Sequence, residues 1–547
     1  MGMFLNTRAP YEAYKETASM RFFIDKTLLL TEVIDSIETD RQKYLCITRP
    51  RRFGKSVAAN MIAAFFGNTV SARDIFDSQL IASKEANQEK EYYVSHLNRY
   101  NVVYIDFSRL PRDCTEYAQY IDRIHDGLNQ DLKEAYPDAG IDQTKAVWDN
   151  FKLVFEEYQE RFVFVMDEWD AIFHKGFTRE EDKKAYLEFL RDFLKGQGYV
   201  ELAYMTGVLP IAKYSSGSEL NMFSEYDMAT KMRFSKYFGF DDKEVDHLYG
   251  IYQKTTKNCR VSRDDLAVWY DGYHTAGGER LYNPRSVVSA LTDNQISNYW
   301  TSSGPYDEIF YYIQNNIEEV RDDIALMISG EHIEMRLEGY SAASTELNTR
   351  NQIYSAMVVY GLLTYEEEAG EVFIPNRELM DKYKNLLMSN DSLGYVHRLA
   401  KESGRMLRAT LEGDTRTMAS VLQYAHNTES TILSYNYEAE LAAVVNLVYL
   451  AARDKYRVER EDKAGKGFVD FIFYPEKKDA DALILELKVN ASPQEAIQQI
   501  KEKEYALRFK GKLGEKPRYT GRILAAGISY DTKSKEHSCE VEELVQC

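Results

Sequence analysis

A chain of 547 residues has room for roughly two to four domains with real cores. Apolar residues at 44% and charged residues at 28% are ordinary for a globular protein, and a net charge of −19 argues against indiscriminate binding to nucleic acid while leaving room for a local basic groove. No apolar run reaches the length of a membrane span and the N-terminus lacks a signal-peptide pattern; Cys46, Cys114, Cys259, Cys539 and Cys547 lie without metal-ligand spacing, so the expectation is a cytoplasmic protein with no membrane partner.

In chain order, MRFFIDKTLLL (residues 20–30) reads as a short extended piece capping a helix. It would serve either as a packed arm or as a surface against an adenine base. Tyr44 to Ile47 form a buried strand, Thr48 to Phe53 a basic loop, and Gly54-Lys55-Ser56 opens a helix whose inner side is Val57, Met61, Ile62, Phe65 and Phe66. Strand, loop, Gly-Lys-Ser and helix is the arrangement that binds a nucleoside triphosphate such as ATP. Backbone N–H groups of Arg52, Phe53, Gly54 and Val57 would face the phosphates, Lys55 the β/γ oxygens, and the Ser56 hydroxyl the Mg²⁺. One position departs from G-x-x-x-x-G-K-[ST]. Arg49 stands where the first glycine would be, and a Cβ there restricts a loop that needs glycine's backbone angles.

Val102 to Phe107 is a second buried strand, with Asp106 near its end. Helical sequence follows from about Thr115 to Glu160. FVFVMDE (162–168) is five apolar residues ending in two carboxylates. Asp167 would hold the Mg²⁺ through its water shell, and Glu168 would polarise the attacking water. A helix at Ala185 to Leu194 and a strand at Val200 to Met205, ending in Thr206-Gly207, complete an alternation that predicts a P-loop NTPase sheet. Its strands are parallel, with helices on both faces and ligands at the strands' carboxyl ends. Arg233, the loop arginines Arg51 and Arg52, or an arginine from another subunit of a homo-oligomer would each suit the phosphate charge.

FFIDKT, RPRRFGKS, VFVMDEWD, MTGV, FGFDDKEV (238–245), WYDGYH (269–274) and LYNPRSV (281–287), in this order, resemble the bacterial AAA-ATPase-like family. The resemblance covers nearly the whole chain. It makes Arg49 a family trait, suggests a γ-phosphate-sensing place for Thr206, and implies a C-terminal domain of the PD-(D/E)XK nuclease superfamily, restriction-endonuclease-like in fold.

Residues 308–427 read as a mostly helical connector or lid, with a hairpin turning at Glu368-Ala369-Gly370. A helix beginning near Tyr435 buries Leu441, Val444, Val445 and Val448. Glu438 falls on that inward face and Glu440 about a hundred degrees away. FVDFIFY (468–474) and LILELKV (483–489) are two strands. Glu486 and Lys488 project together on one face of the second, and Asp470 lies opposite Val469 and Phe471. This is the D-x(n)-E-x-K pattern of the nuclease superfamily. Asp470 and Glu486 would hold Mg²⁺ or Mn²⁺, Lys488 would orient or deprotonate the attacking water, and Glu438 would assist. The next helix starts at Ser492-Pro493 with Glu495 completing a capping box. Gln499 and Lys503 could face the strands, and the resemblance points to Gln499 as a site residue. Lys501 to Arg522 is rich in Lys and Arg, suited either to phosphate contacts or to a solvated surface.

The expected domains are 1–300 (ATPase-like), 301–427 (connector) and 428–547 (nuclease-like). The leading function is an ATPase controlling a Mg²⁺-dependent nuclease, DNA being favoured over RNA and defence against foreign DNA suggested by the domain pairing. The alternative is a nucleotide-driven switch or adaptor that binds nucleic acid or protein without cutting.

Overall fold

The computed structural model describes the chain apart from residues 1, 39–41, 89, 212–219, 301–317, 329, 338–348, 390–394, 427–437, 465–466, 478, 510–520 and 545–547; the side chains of 318–319, 321–322, 395–396, 439–440, 443, 461–464, 467 and 508 are also outside the description. It divides into two compact units, Met1–Tyr312 with Glu334–Leu379, and Ile313–Ile333 with Met380–Cys547. The expected boundaries after 300 and 427 adjoin segments outside the described residues.

The first unit is built on five strands: β1 (Tyr44–Thr48), β2 (Asn101–Asp106), β3 (Phe162–Asp167), β4 (Val200–Gly207) and β5 (Ser224–Tyr226). All pairings are parallel, in the order β2-β3-β4-β1-β5. Alternate strand residues feed two separate cores. Cys46, Phe162, Phe164, Met166 and Met205 pack with the helices of residues 117–135, 147–158 and 180–194. Leu45, Ile47, Val163, Val165 and Tyr204 pack with the helices of residues 9–18 and 29–38 and with α1 (Lys55–Phe66). The sheet is thus covered on both faces, which is why its strands read as unbroken apolar runs. The helical stretch expected from 115 to 160 is broken between Ala135 and Val147.

The order places β4 between the strand carrying the Gly-Lys-Ser loop and the strand carrying Asp167. Ile47 is in register with Thr206, and Met166 with Met205, so the carboxyl ends of β1, β4 and β3 stand side by side. A smaller helical layer follows, including α2 (Pro284–Asp293), which Asn283 caps through the Ser286 N–H with Pro284 in the first turn. Its core includes Phe22 from the N-terminal segment, together with Phe240, Leu248 and Val287. Further along, residues 350–360 are helical and a hairpin pairs Glu371 with Glu366 across the expected turn, where Gly370 has φ +70.

The second unit holds helices at 395–412 and 415–426, α3 (Glu438–Val448) and a mixed sheet. The sheet order is β6 (Tyr456–Ala464), β7 (Gly467–Pro475), β8 (Ala482–Val489), β9 (Ile523–Asp531) and β10 (Glu536–Leu544). Only β8 and β9 run parallel, joined through α4 (Pro493–Glu502), which has the expected cap at Ser492 and Glu495. The α4 start lies so close to β9 that a Cβ on Gly527 would come within 2.1 Å of the Pro493 carbonyl oxygen. The edge strands β6 and β10 were not anticipated. Their sequences, YRVEREDKA and EHSCEVEEL, are charged, as suits edges that discourage pairing with other chains.

Candidate functional sites

The loop between β1 and α1 borders a cavity of about 680 Å³, whose lining includes the polar Arg51, Arg52, Lys55 and Ser56 and the apolar Met20, Phe22, Phe23 and Ile24. A lining that combines polar donors with apolar side chains suits a nucleotide, and the volume is in the range of cofactor pockets. Gly54, at φ +89, gives the loop its left-handed turn into α1. The buried Lys55 ammonium donates to the carbonyls of Arg49 and Pro50, both at 3.0 Å, positions that phosphate oxygens could take over. Burial lowers the Lys55 pKa, while Glu168, Asp170 and Asp167 oppose that shift.

Asp167 closes β3 beside this loop. Burial pushes its carboxyl up to about 7, against the lowering effect of a hydrogen bond from the Ser56 side chain. Asp167 also accepts the Glu168 N–H at 3.0 Å, and Glu168, at φ +53, turns to line the cavity. Ser56 and Asp167, brought together by this bond, are hard oxygen donors that fit a Mg²⁺ ion. Behind them Asp170 accepts the N–H groups of Val208 at 3.0 Å and Leu209 at 2.8 Å, and Trp169 donates Nε1–H to the Leu209 carbonyl at 3.1 Å. These bonds tie the turn after β3 to the chain leaving β4.

In the second unit, the pairing of β7 with β8 ends at Phe471 and Leu485. Asp470, one residue beyond, accepts the Leu487 N–H with its carboxylate at 2.7 Å. Lys488 donates to Glu486 Oε1 at 3.3 Å, and the Gln499 amide on α4 donates to the same oxygen. Glu486 Oε2 is buried without a hydrogen-bond partner among the described residues. Burial, reinforced by Asp470, pushes the Glu486 carboxyl up to about 7, and burial raises that of Asp470 as well. Two carboxylates that resist ionising side by side, one with an orphaned oxygen, fit a divalent cation.

Residues 13–216 match the family model described as "Predicted AAA-ATPase", and residues 436–536 match the PD-(D/E)XK nuclease superfamily. The chain pairs an AAA-ATPase-like domain with a nuclease-superfamily domain. An uncharacterized protein from the vnfD 5′ region of Azotobacter chroococcum mcd 1 is 23% identical over 288 residues, 52% of this chain, and the match spans about half (51%) of that protein's length. Among solved structures, Cdc6p from Pyrobaculum aerophilum is similar at a TM-score of 0.29 and 11% identity, over 70% of this chain and 97% of that one. The Aeropyrum pernix ORC2 protein gives 0.29 and 12%, over 66% and 92%. At such scores the fold assignment rests on the sheets themselves.

In the AAA-ATPase-like domain, Arg52, Phe53, Gly54, Lys55, Ser56, Val57 and Glu168 all line the cavity, as do Phe22 and Phe23 of FFIDKT. Val57 is exposed to it and takes no part in the buried side of α1, contrary to the helical-face expectation, because the first turn faces the cavity. Thr206 does not line the cavity. It is fully buried at the end of β4, with its hydroxyl unpartnered among the described residues. Arg233, one of the arginines left open for the phosphate charge, donates to the Ser36 hydroxyl at 2.9 Å, lies 3.7 Å from Glu32 and is not among the residues lining the cavity, whereas Arg51 and Arg52 are. Two residues were missed. Arg285, in the first turn of α2, lines the cavity, and the N-P-R of LYNPRSV was its only local signal. Glu378 is buried and accepts from Ser286 Oγ at 2.8 Å and from the N–H groups of Tyr299 and Trp300 at 2.6 and 2.9 Å; Arg52 donates to the Tyr299 carbonyl. Burial pushes Glu378 up to about 7, and no motif marks it.

In the nuclease-superfamily domain, Asp470, Glu486, Lys488 and Gln499 come together. Glu438 is not inward as expected: its side chain is 51% exposed at the first residue of α3, where its carboxylate lies 3.7 Å from the Lys488 ammonium. The helix end frees it from the core periodicity that Leu441 follows. The Glu440 side chain lies outside the described residues. Lys503 is exposed beyond the end of α4, where the turn carries it off the helical face that was projected for it. Of the basic stretch, Lys501 pairs with Glu542 and Arg522 with Asp481, both at 2.6 Å, and residues 510–520 lie outside the description.

Proposed function

We propose that the protein hydrolyses ATP and that its nucleotide state controls a divalent-metal-dependent nuclease acting on DNA in the bacterial cytoplasm, with Mg²⁺ the working ion and Mn²⁺ a substitute. The observation that carries this reading is the presence in one chain of two separate acidic sites, Ser56 with Asp167 at the carboxyl end of β3, and Asp470 with Glu486 where β7 parts from β8. Lys55 exchanges its two carbonyl partners for β/γ phosphate oxygens, Ser56 and Asp167 would hold the Mg²⁺, and Glu168 polarises the attacking water. Arg51, Arg52 and Arg285 add positive charge at the cavity wall. In the second site Asp470 and Glu486 would hold the ion, Gln499 fixes the Glu486 carboxylate, and Lys488 orients a water toward the phosphate. Glu438, 3.7 Å from the Lys488 ammonium, holds it in place. A divalent ion there would supply a more acidic water and neutralise charge building on the phosphate. Defence against foreign DNA is the role this pairing of domains suggests.

The test is incubation of the full chain with plasmid, linear duplex, single-stranded DNA and RNA, with and without Mg²⁺, Mn²⁺ and ATP. The expected result is metal-dependent cutting of DNA that Asp470→Ala abolishes. No cutting of any substrate under any of these conditions would replace the reading with a nucleotide-driven switch that binds without cleaving.

A further inference from the structure

Phe468, on β7, has a side chain that is 66% exposed, more than any other aromatic among the described residues. Its neighbours Val469, Phe471, Ile472 and Phe473 are buried, so the strand has ample apolar company from which this ring is excluded. Phe468 precedes Asp470 by two residues, and alternate residues share one face of a strand. The β7–β8 ladder ends at Phe471 and Leu485, and the next N–H of β8, that of Leu487, bonds the Asp470 carboxylate, so β7 parts from β8 in the segment that carries Phe468. Its backbone is held, because the buried Tyr505 donates its hydroxyl to the Phe468 carbonyl. An exposed ring on a fastened strand therefore lies two residues from Asp470, at the place where β7 leaves the ladder.

We infer that Phe468 is a stacking platform for an unpaired nucleobase next to the phosphate that Asp470, Glu486 and Lys488 address, so that the site takes single-stranded nucleic acid or a frayed end. In a duplex each base is covered by its stacked neighbours, and only an unstacked strand offers a free face to a ring. The two-residue step from Phe468 to Asp470 spans about 6.8 Å, roughly twice the 3.4 Å rise of a stacked strand. That interval matches a base pulled away from its neighbours. A protein partner fits this face less well, because an apolar surface closing over Phe468 would have to cover the partly exposed charges of Asp470 and Lys488. A nucleotide stacks on the ring while its phosphate points to the lysine. The inference rests on the nuclease reading and narrows its substrate.

The experiment uses the full chain in Ca²⁺ buffer and a single-stranded DNA of about twenty nucleotides carrying 2-aminopurine, whose fluorescence falls on stacking. Wild type and Phe468→Trp should bind and quench it. Phe468→Leu and Phe468→Ala should lose the quenching and bind about 5- to 150-fold more weakly, the equivalent of one base–aromatic stack, with blunt-duplex binding unchanged. Because the ring is exposed, unchanged melting temperatures should accompany both substitutions. Cutting of plasmid with Mn²⁺ is measured in parallel. Quenching by a wild type that cuts nothing would leave the stacking site standing and remove the nuclease reading. Cutting by wild type, together with undiminished single-strand binding and quenching by Phe468→Leu, would leave the nuclease and overturn the stacking site. Failure of wild type to bind single strands, or capture of a protein on this face instead, would overturn it too.

Discussion

Glu486 illustrates what burial does to a carboxylate proposed to hold a cation. Its folded pKa of about 7 lies above the ordinary 4.5, so the neutral form is favoured in the fold. The sign follows from linkage: the stabilising contribution of the protonated group is complete below 4.5 and lost as pH rises through about 7. Without divalent ions, Glu486→Gln should therefore melt above wild type at pH 8, with that advantage gone below about pH 4.5. Equal melting of the two proteins at pH 8 would show that the site carries no such strain. A cation must displace this proton, so metal affinity should rise about tenfold per pH unit below about 7 and level off above it, which calorimetry can follow. In the nucleotide cavity, Lys55→Ala should weaken triphosphate binding, whereas Glu168→Gln should keep it and slow hydrolysis by about 10²- to 10⁴-fold. Unchanged affinity in Lys55→Ala, read by a fluorescent ATP analogue, would remove Lys55 from phosphate binding. Arg49 no longer stands against that site: it is absent from the positive-φ residues, and those angles fall to Arg52 and Gly54 instead. Its buried guanidinium lies over Phe238 and donates to the Tyr226 carbonyl at 2.7 Å, so it braces β5 beneath the loop.

Between elements, the Asp170 carboxylate is the clamp that the local sequence does not announce. It binds two N–H groups just past Thr206, and a Cβ on Gly207 would overlap Trp169 and Asp170, so the turn after β3 and the end of β4 fit only in this close form. Asp170→Ala leaves two buried donors unmet, and each such loss costs about 1–3 kcal/mol. The expected consequence is a lower melting temperature for the nucleotide-binding unit, with Asp170→Asn losing less because its amide oxygen still accepts. An undiminished melting temperature in Asp170→Ala would show that the two segments hold together without it. Strands β2, β3 and β4 were legible because each is an apolar run ended by a carboxylate or a Thr-Gly, and Asp167 sits at such an end, whereas Asp470 and Glu486 lie within β7 and β8. Which strand neighbours which was not, since periodicity says nothing about the insertion of β4 between β1 and β3. The choice among Arg233, Arg51 and Arg52 stayed open for a similar reason: the pairing of Arg233 with Glu32 and Ser36 depends on a helix some two hundred residues earlier in the chain. Glu438 was misjudged because helical periodicity describes a helix interior and loses authority at its first residue. Glu378 gave no signal at all, for its partners Tyr299 and Trp300 meet it only through the fold.

At the scale of the whole molecule, the proposal joins two chemistries that different substitutions separate. Asp470→Ala bears on cutting alone and Lys55→Ala on nucleotide alone, because the residues belong to different units, each with its own sheet. Nucleotide can alter cutting only to the extent that it binds the cutting-competent state more tightly than the other. A tenfold change in rate therefore requires a difference of about 1.4 kcal/mol between the two states' affinities for nucleotide. The expected result is that ATP changes the initial rate of DNA cleavage by wild type, that Lys55→Ala retains a basal rate insensitive to ATP, and that Glu168→Gln with ATP keeps the nucleotide-bound rate because it cannot discharge its ligand. A basal rate in Lys55→Ala equal to that of wild type without ATP would locate the control in nucleotide binding and leave the cutting chemistry intact. If instead wild type cuts at one rate with ATP, with ADP and without nucleotide, while still hydrolysing ATP, the two units act independently, and the claim of control falls even though both activities remain.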